Sequence, residues 1–295
     1  MNLKTLEYFV AVAEELNISK AAKRLNMSQP PLSTQIKALE YELNTTLFIR
    51  GKRALQLTES GQLLYRRAKE IISLSDKARS EILSMSKGMG GTISIGLVEG
   101  MAHGIAAGWF SGFIKDYPGV RFRILGGNSD DLTEKLRSGM ISFAVITAPC
   151  NQALLNSFVV GSEKMTALMD REHPLAKRDE ETIEISDLIG ASLIVPGRKA
   201  TIDMIYKWFR VYRAEPNIVC ETDSYLDAAA LVRKGLGTGI FPRSTNNPNR
   251  SLVIKELSGS DKNIEYLFVW RKGHPLPSVE EAFIDHVKNS VDRSV

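Results

Sequence analysis

The hydrophobic period of this chain changes at Gly88-Met89-Gly90-Gly91. Ahead of that break, apolar residues recur at the helical spacings of three and four. Beyond it, short apolar runs alternate with amphipathic stretches. A chain divided in this way is expected to build a helical front and an α/β rear, each with its own core. Its 295 residues, 43% hydrophobic and 24% charged, suffice for two or three compact units.

The front is organised around residues 17–43. Ser19 is placed to cap a short helix whose apolar stripe is Ala21, Ala22 and Leu25, and a turn follows at Asn26-Met27. Ser28 can cap the next helix, with Pro30 and Pro31 in its first turn, where backbone N–H groups lack intrahelical partners. Leu32, Ile36, Leu39 and Leu43 recur at spacings of 4, 3 and 4 and predict the buried face. The opposite face then carries Pro30, Thr34, Lys37 and Tyr41, flanked by Gln29 and Ser33. Uncharged hydrogen-bonding groups near a helix N-terminus, with a lysine behind them, suit base edges and phosphates. The plainer alternative is an ordinary amphipathic helix pair.

Leu3, Leu6, Phe9, Val10, Ala13 and Leu16 predict a preceding helix that completes a three-helix core. Residues 46–50 and 54–57 are β-prone runs separated by Gly51-Lys52-Arg53, a hairpin wing with adjacent cations between its strands. Residues 1–57 hold eight Lys and Arg against five Glu, so most of the formal net charge of +4 sits here.

The run Ala21-Ala22-Lys23-Arg24-Leu25-Asn26-Met27-Ser28-Gln29-Pro30-Pro31-Leu32-Ser33-Thr34-Gln35-Ile36-Lys37-Ala38-Leu39-Glu40 carries a resemblance, continued in Leu47-Phe48-Ile49-Arg50 and Leu57-Thr58-Glu59-Ser60-Gly61. It resembles the amino-terminal signature of LysR-type transcriptional regulators. The resemblance implies a DNA-contacting set of Ser28, Gln29, Pro30, Pro31, Ser33, Thr34 and Lys37, with Lys52 and Arg53 on the wing. Thr34 departs from the arginine that many members carry there. The partners implied are a double-stranded operator with an interrupted inverted repeat, a small-molecule effector, a second and further copies of the chain as dimer and tetramer, and RNA polymerase if the protein activates. A bacterial, cytoplasmic setting is implied with them.

Thr58 can cap a long helix in which Leu64, Ala68, Ile71, Ser75, Ala78, Ile82 and Met85 step by 4 and 3, a seam that wants a partner helix or its own domain. After the break come a strand at 93–98, a helix at 101–117, a strand at 120–125, a helix at 129–137 and a strand at 141–146. The grammar returns at 192–195, 201–212, 218–221, 225–234 and 240–242, and ends with a strand at 264–270 and a helix near 279–291. It implies a largely parallel sheet in each of two lobes. The expected organisation is a winged helix-turn-helix at 1–58, a linker helix at 59–87 and a hinge at 88–91. An α/β effector-binding domain resembling periplasmic binding proteins follows, with one lobe of 92–161 plus 267–295 and the other of 162–266.

Ligands of open α/β sheets bind beyond the carboxyl ends of strands. That rule selects Val98, Glu99, Gly100 and Met101; Asn128 and Ser129; Thr147 and Ala148; Pro196 and Arg198; Thr201; and Thr222 and Asp223. Thr201, at a helix start beside Arg198, could favour an anion. Many LysR-type proteins place serine or threonine where this chain has Val98-Glu99-Gly100, which points to an amphoteric or cationic metabolite between Arg198 and Glu99. The alternative leaves Glu99 facing water.

Catalysis has little support. His103, His173, His274 and His286 lack metal spacing, no G-x-S-x-G is present, and Gly235-Leu236-Gly237-Thr238-Gly239 precedes a strand instead of opening a helix after one. No metal or cofactor is expected. Cys150 and Cys220 are too few for a disulfide scaffold, and a redox-sensing pair is the sharper alternative to two buried thiols. Met1-Asn2-Leu3-Lys4 enters a helix without an export leader, and no apolar run approaches the roughly 20 residues of a membrane span. The competing class is a solute-binding or enzymatic α/β protein with an accessory DNA-binding head.

Overall fold

The computed structural model describes residues 1–50, 55–85, 90–243, 252–258 and 263–292. The chain divides into two units, Met1–Leu83 and Ser84–Val295. Lys52 and Arg53, and Gly88-Met89 of the break, lie outside the described residues.

The first unit begins with α1 (Leu3–Glu15), capped by the Asn2 side chain, which accepts the Thr5 amide. Next come α2 (Ile18–Arg24) and α3 (Gln29–Glu42), the antiparallel strands β1 (Phe48–Arg50) and β2 (Leu55–Leu57), and α4 (Glu59–Met85). Leu6, Phe9, Val12, Ala21, Ala22, Leu32, Ile36, Leu39 and Leu47 make one core, onto which α4 delivers Leu64, Tyr65 and Ala68. The expected seam on α4 is therefore divided. Leu64 and Ala68 turn inward because the first turns of the helix roof this core, whereas Ile71 and Ile82 stay exposed. The side chain of Met85 lies outside the described residues.

The second unit holds two mixed sheets. The first contains β3 (Gly91–Leu97), β4 (Val120–Gly126), β5 (Phe143–Thr147) and β6 (Leu155–Glu163). Its helices are α5 (Ala102–Asp116) and α6 (Ser129–Arg137). The second contains β7 (Met165–Asp170), β8 (Thr182–Glu184), β9 (Ser192–Val195), β10 (Asn217–Glu221), β11 (Thr238–Pro242) and β12 (Leu252–Ser258). With it go α7 (Lys199–Val211) and α8 (Tyr225–Arg233). The chain then returns to the first sheet through β13 (Ile264–Arg271) and ends in α9 (Ser278–Asp292). Strand orders are β4-β3-β5-β13-β6 and β10-β9-β11-β7-β12-β8.

Central strands β3, β5, β7, β9 and β11 are buried along nearly their whole length because both sheet faces are covered; they are mostly apolar, and Ser94, Thr166 and Thr238 are buried among them. The edge strands β4 and β10 mix exposed and half-buried positions. Phe113 of α5 and Phe283 of α9 meet edge-on at 5.1 Å, and Phe283 reaches Phe143 at 5.6 Å, closing one face of the first sheet.

Two expectations are corrected here. The sheets are mixed: β13 is antiparallel to both β5 and β6, and β7 to both β11 and β12. Periodicity reports burial, not strand direction. The first crossing falls later than 161, since β6 runs to Glu163; the return, expected near 261–263, agrees with β13 pairing from Ile264, so that only the lobe bound of 267 is late. Ser162, Glu163, Ile264, Glu265 and Tyr266 thus belong to the first lobe.

Candidate functional site

On the first unit the candidate site is the outer face of α3. Asn17, rather than Ser19, caps α2, accepting the Lys20 amide at 3.0 Å. Asn26 takes φ 53°, a left-handed turn that asparagine tolerates well. The chain then reverses on bonds from the Asn26 and Met27 amides to the carbonyls of Lys23 and Ala22. Ser28 stands at the N-cap of α3, but its hydroxyl makes no cap bond. Leu32, Ile36 and Leu39 are buried as expected, whereas Leu43 is the C-cap and 36% exposed. The last turn of α3 has left the core by that position.

Ser28, Gln29, Pro30, Pro31, Thr34 and Lys37 are exposed, Ser33 is half-buried, and Tyr41 stands 90% exposed farther along α3. The Thr34 hydroxyl donates to the Pro30 carbonyl at 3.1 Å, which leaves its oxygen free to accept. The Glu40 carboxylate accepts the amides of Leu47 at 2.7 Å and Phe48 at 3.1 Å, tying α3 to the start of β1.

On the second unit the candidate site is a cleft of roughly 660 Å³, solvent mouth included. It is lined by Val98, Glu99, Gly100, Asn128, Ser129, Thr147, Pro196, Arg198, Thr201 and Asp223, all selected by the strand-end rule. Three selected residues do not line it. Met101 donates its amide to Glu163 at 3.3 Å, the Ala148 carbonyl accepts from Arg198 at 3.1 Å, and the Thr222 hydroxyl accepts the Ser224 amide at 3.2 Å. The first two contacts are long-range and the third is local to its loop.

The cleft also uses Gly127, Tyr225, Phe241, Pro242 and Ile264. Phe241 and Pro242 end β11, so the same rule applied to that strand would have found them. Ile264 enters with the returning antiparallel strand, and Tyr225 opens α8. Neither carries a local sequence signal. Burial pushes the Tyr225 phenol up, and its hydroxyl is buried without a partner.

The charged groups are already engaged across the lobes. The Arg198 side chain, 10% exposed, donates from Nη1 to the Thr147 carbonyl at 2.7 Å, the Thr147 hydroxyl at 2.8 Å and the Ala148 carbonyl. From Nη2 it donates to the Pro149 carbonyl at 2.9 Å. Its Nε is buried without a hydrogen-bond partner, 3.5 Å from Asp130 Oδ1. Asn128 donates from Nδ2 to Asp223 Oδ2 at 3.0 Å, and Asp223 Oδ1 accepts the Gly197 amide at 3.1 Å. Glu99 Oε2 accepts the Tyr225 amide. Ser129 and Thr147 bond through their hydroxyls at 3.0 Å.

The expected free pair, Arg198 at one end of a ligand and Glu99 at the other, is therefore absent. The guanidinium is turned onto the carbonyl end of β5, and the carboxylate onto a helix start. Glu99 does not simply point to water either. Among the described residues there is no cluster of His, Cys, Asp and Glu able to hold a metal, and no helix long and apolar enough to cross a membrane. Cys150 and Cys220 are free and half-buried.

Two family models match the chain: the LysR substrate binding domain over residues 86–292, and the bacterial regulatory helix-turn-helix protein, lysR family, over residues 3–62. The HTH-type transcriptional regulator AlsR of Bacillus subtilis (strain 168) is 30% identical over 293 residues, 98% of this chain and 96% of its own. Among solved structures, CbnR, a LysR family transcriptional regulator, has a TM-score of 0.79 at 23% identity over 99% of both chains. Full-length CbnR complexed with its target DNA has a TM-score of 0.76 at 24% identity, over 98% of this chain and 100% of that one.

Proposed function

The chain belongs to the LysR family of transcriptional regulators, and on that premise we propose how its residues divide the work. It is a sequence-specific DNA-binding regulator whose effector domain takes a small molecule; its family relatives are regulators, not enzymes. The reading of sites rests on one observation above the rest: the outer face of α3 presents Gln29, Thr34 and Lys37 to solvent beside an N-cap serine whose hydroxyl makes no cap bond. Gln29, Pro30, Pro31, Ser33 and Thr34 read the major groove, Ser28 and Lys37 hold phosphate, and Lys52 and Arg53 serve the wing.

The domains are 1–58, 59–87 and a hinge of 88–90, since Gly91 already pairs with Val120 in the first sheet, then 91–163 with 264–295 as one lobe and 164–263 as the other. A molecule in the cleft favours one lobe arrangement and so one placement of paired DNA-binding heads, a population shift between quaternary states. The protein works in the cytoplasm as a dimer or tetramer on an interrupted inverted repeat.

Gel shifts over a salt series on a selected high-affinity site and on random DNA test the division. Gln29→Ala should lose roughly 1 to 3 kcal/mol on the selected site alone. Lys37→Ala should weaken both DNAs alike and flatten the salt slope by about one. Equal losses from Gln29→Ala on both DNAs would remove it from the reading set.

A further inference from the structure

The proposal concerns the chemistry of the effector and rests on the cleft being the effector site. Among the residues lining that cleft the charged ones are Glu99, Asp223 and Arg198, so its carboxylates outnumber its cation. Arg198, the group that would attract an anion, has its terminal nitrogens on the carbonyls of Thr147, Ala148 and Pro149. Asp223 is held by Gly197 and Asn128. The start of α8 would be a second anion site, because its first amides have no intrahelical partner and the helix dipole favours negative charge. It is taken. Glu99, on the loop after β3, reaches across the cleft to the Tyr225 amide, and the Ser224 hydroxyl accepts the Asp227 amide of the same turn at 3.3 Å. The remaining walls include Val98, Pro196, Phe241, Pro242 and Ile264.

We propose that Glu99 is a built-in carboxylate ligand of the α8 N-terminus, bridging the lobes, so that the cleft takes a compact apolar effector bearing an amine or hydroxyl donor and refuses a carboxylate of the same shape. An ionised carboxylate has about four acceptor positions and Glu99 commits one to Tyr225, so an ammonium or hydroxyl finds an acceptor at hand. A carboxylic acid meets Glu99 and Asp223, while Arg198 is turned from it, with both terminal nitrogens already on the carbonyls of 147–149 and Nε beside Asp130.

The test is thermal unfolding of the full chain, wild type and Glu99→Ala. The probes are acetate against chloride at equal ionic strength, then phenethylamine, 2-phenylethanol and phenylacetate, which share one body and differ in charge. Glu99→Ala opens the helix start, so acetate should raise its Tm by about 2 °C or more over chloride while leaving the wild type within about 0.5 °C. Phenethylamine or 2-phenylethanol should stabilise the wild type, and phenylacetate should do so only in Glu99→Ala. Acetate acting equally on both chains, or on neither, overturns the role of Glu99. Silence of both uncharged and cationic probes on the wild type overturns the effector class.

Thr201→Phe, or Pro242→Trp should that chain not fold, fills the cleft and separates this idea from the one beneath it. Wild-type binding of phenylacetate that is lost on filling sinks the class and keeps the cleft. Phenethylamine binding that survives filling sinks the cleft itself.

Discussion

The Glu163 carboxylate lies under the loop after β3, where Oε1 accepts both the Tyr266 hydroxyl and the Met101 amide. Burial raises its pKa above the usual carboxylate range, against the pull of those bonds and of Arg243. Burial first, and the neighbouring carboxylate second, push the Tyr266 phenol up as well. Gly100 sits on this pair at φ 102°; a Cβ there would stand 2.3 Å from the Tyr266 hydroxyl and 2.8 Å from Glu163 Oε1. A carboxyl whose folded pKa is raised favours the fold in its protonated form. That contribution is full below the unfolded pKa and is lost as pH rises from the ordinary carboxylate range through the raised value. Glu163→Gln keeps the acceptor and removes the charge, so its Tm relative to wild type should climb across that window, by no more than ~3 °C because solvent still reaches the group. Paired melts from pH 4 to 8 measure it, and a difference flat with pH would mean the carboxylate is not desolvated.

At the scale of elements, the first turn of α4 shows local preference and tertiary contact in conflict. Thr58 caps the helix by accepting the Gly61 amide at 2.9 Å, while its own hydroxyl donates to the Thr46 carbonyl at 2.7 Å. That seats Gly61 on the Leu47 backbone, where an added Cβ would fall 2.2 Å from the Leu47 carbonyl oxygen. Alanine is the better helix former by about 1 kcal/mol. The clash with fixed backbone outweighs this, since forcing extra volume into a packed site costs roughly 1 to 3 kcal/mol and, although the Leu57 side chain at 3.0 Å could shift, the Leu47 carbonyl is backbone. Gly61→Ala should therefore lower the urea midpoint of the first unit. A raised midpoint would show that α4 can lift off Leu47 at little cost.

At the scale of the whole molecule, the outer stripe of α4 is the surface on which a prediction about assembly can be made. Leu63, Ile71, Leu74 and Ile82, the last 69% exposed, fall within about one third of the helix circumference and so gather on one stripe of α4. Once Leu64 and Ala68 are committed to the core of the first unit, this stripe is what a second copy can cover. Leu74→Glu with Ile82→Glu should give a monomer by size exclusion with light scattering, and at least a tenfold loss of affinity for a two-half-site DNA through lost effective concentration. A dimer that survives both charges would place the interface elsewhere.

Helix and strand periods, capping residues and glycine breaks act between neighbours in sequence, so the helix-turn-helix, the long helix, most α/β elements and the strand ends that line the cleft were legible from residues alone. The spacing of Leu32, Ile36 and Leu39 already contained the outward set on α3, because a helix with one buried face has one opposite face. Strand direction was not legible: β5 and β9 read alike as apolar runs, yet β13 joins β5 antiparallel and β11 joins β9 parallel. Nor was the state of the charges. Arg198 and Glu99 read as free ends of a ligand site, and only the approach of the two lobes gave one to the carbonyls of 147–149 and the other to the start of α8. Those partners lie about fifty and over a hundred residues away in the chain, at distances where no local preference operates and packing alone decides which charge meets which dipole.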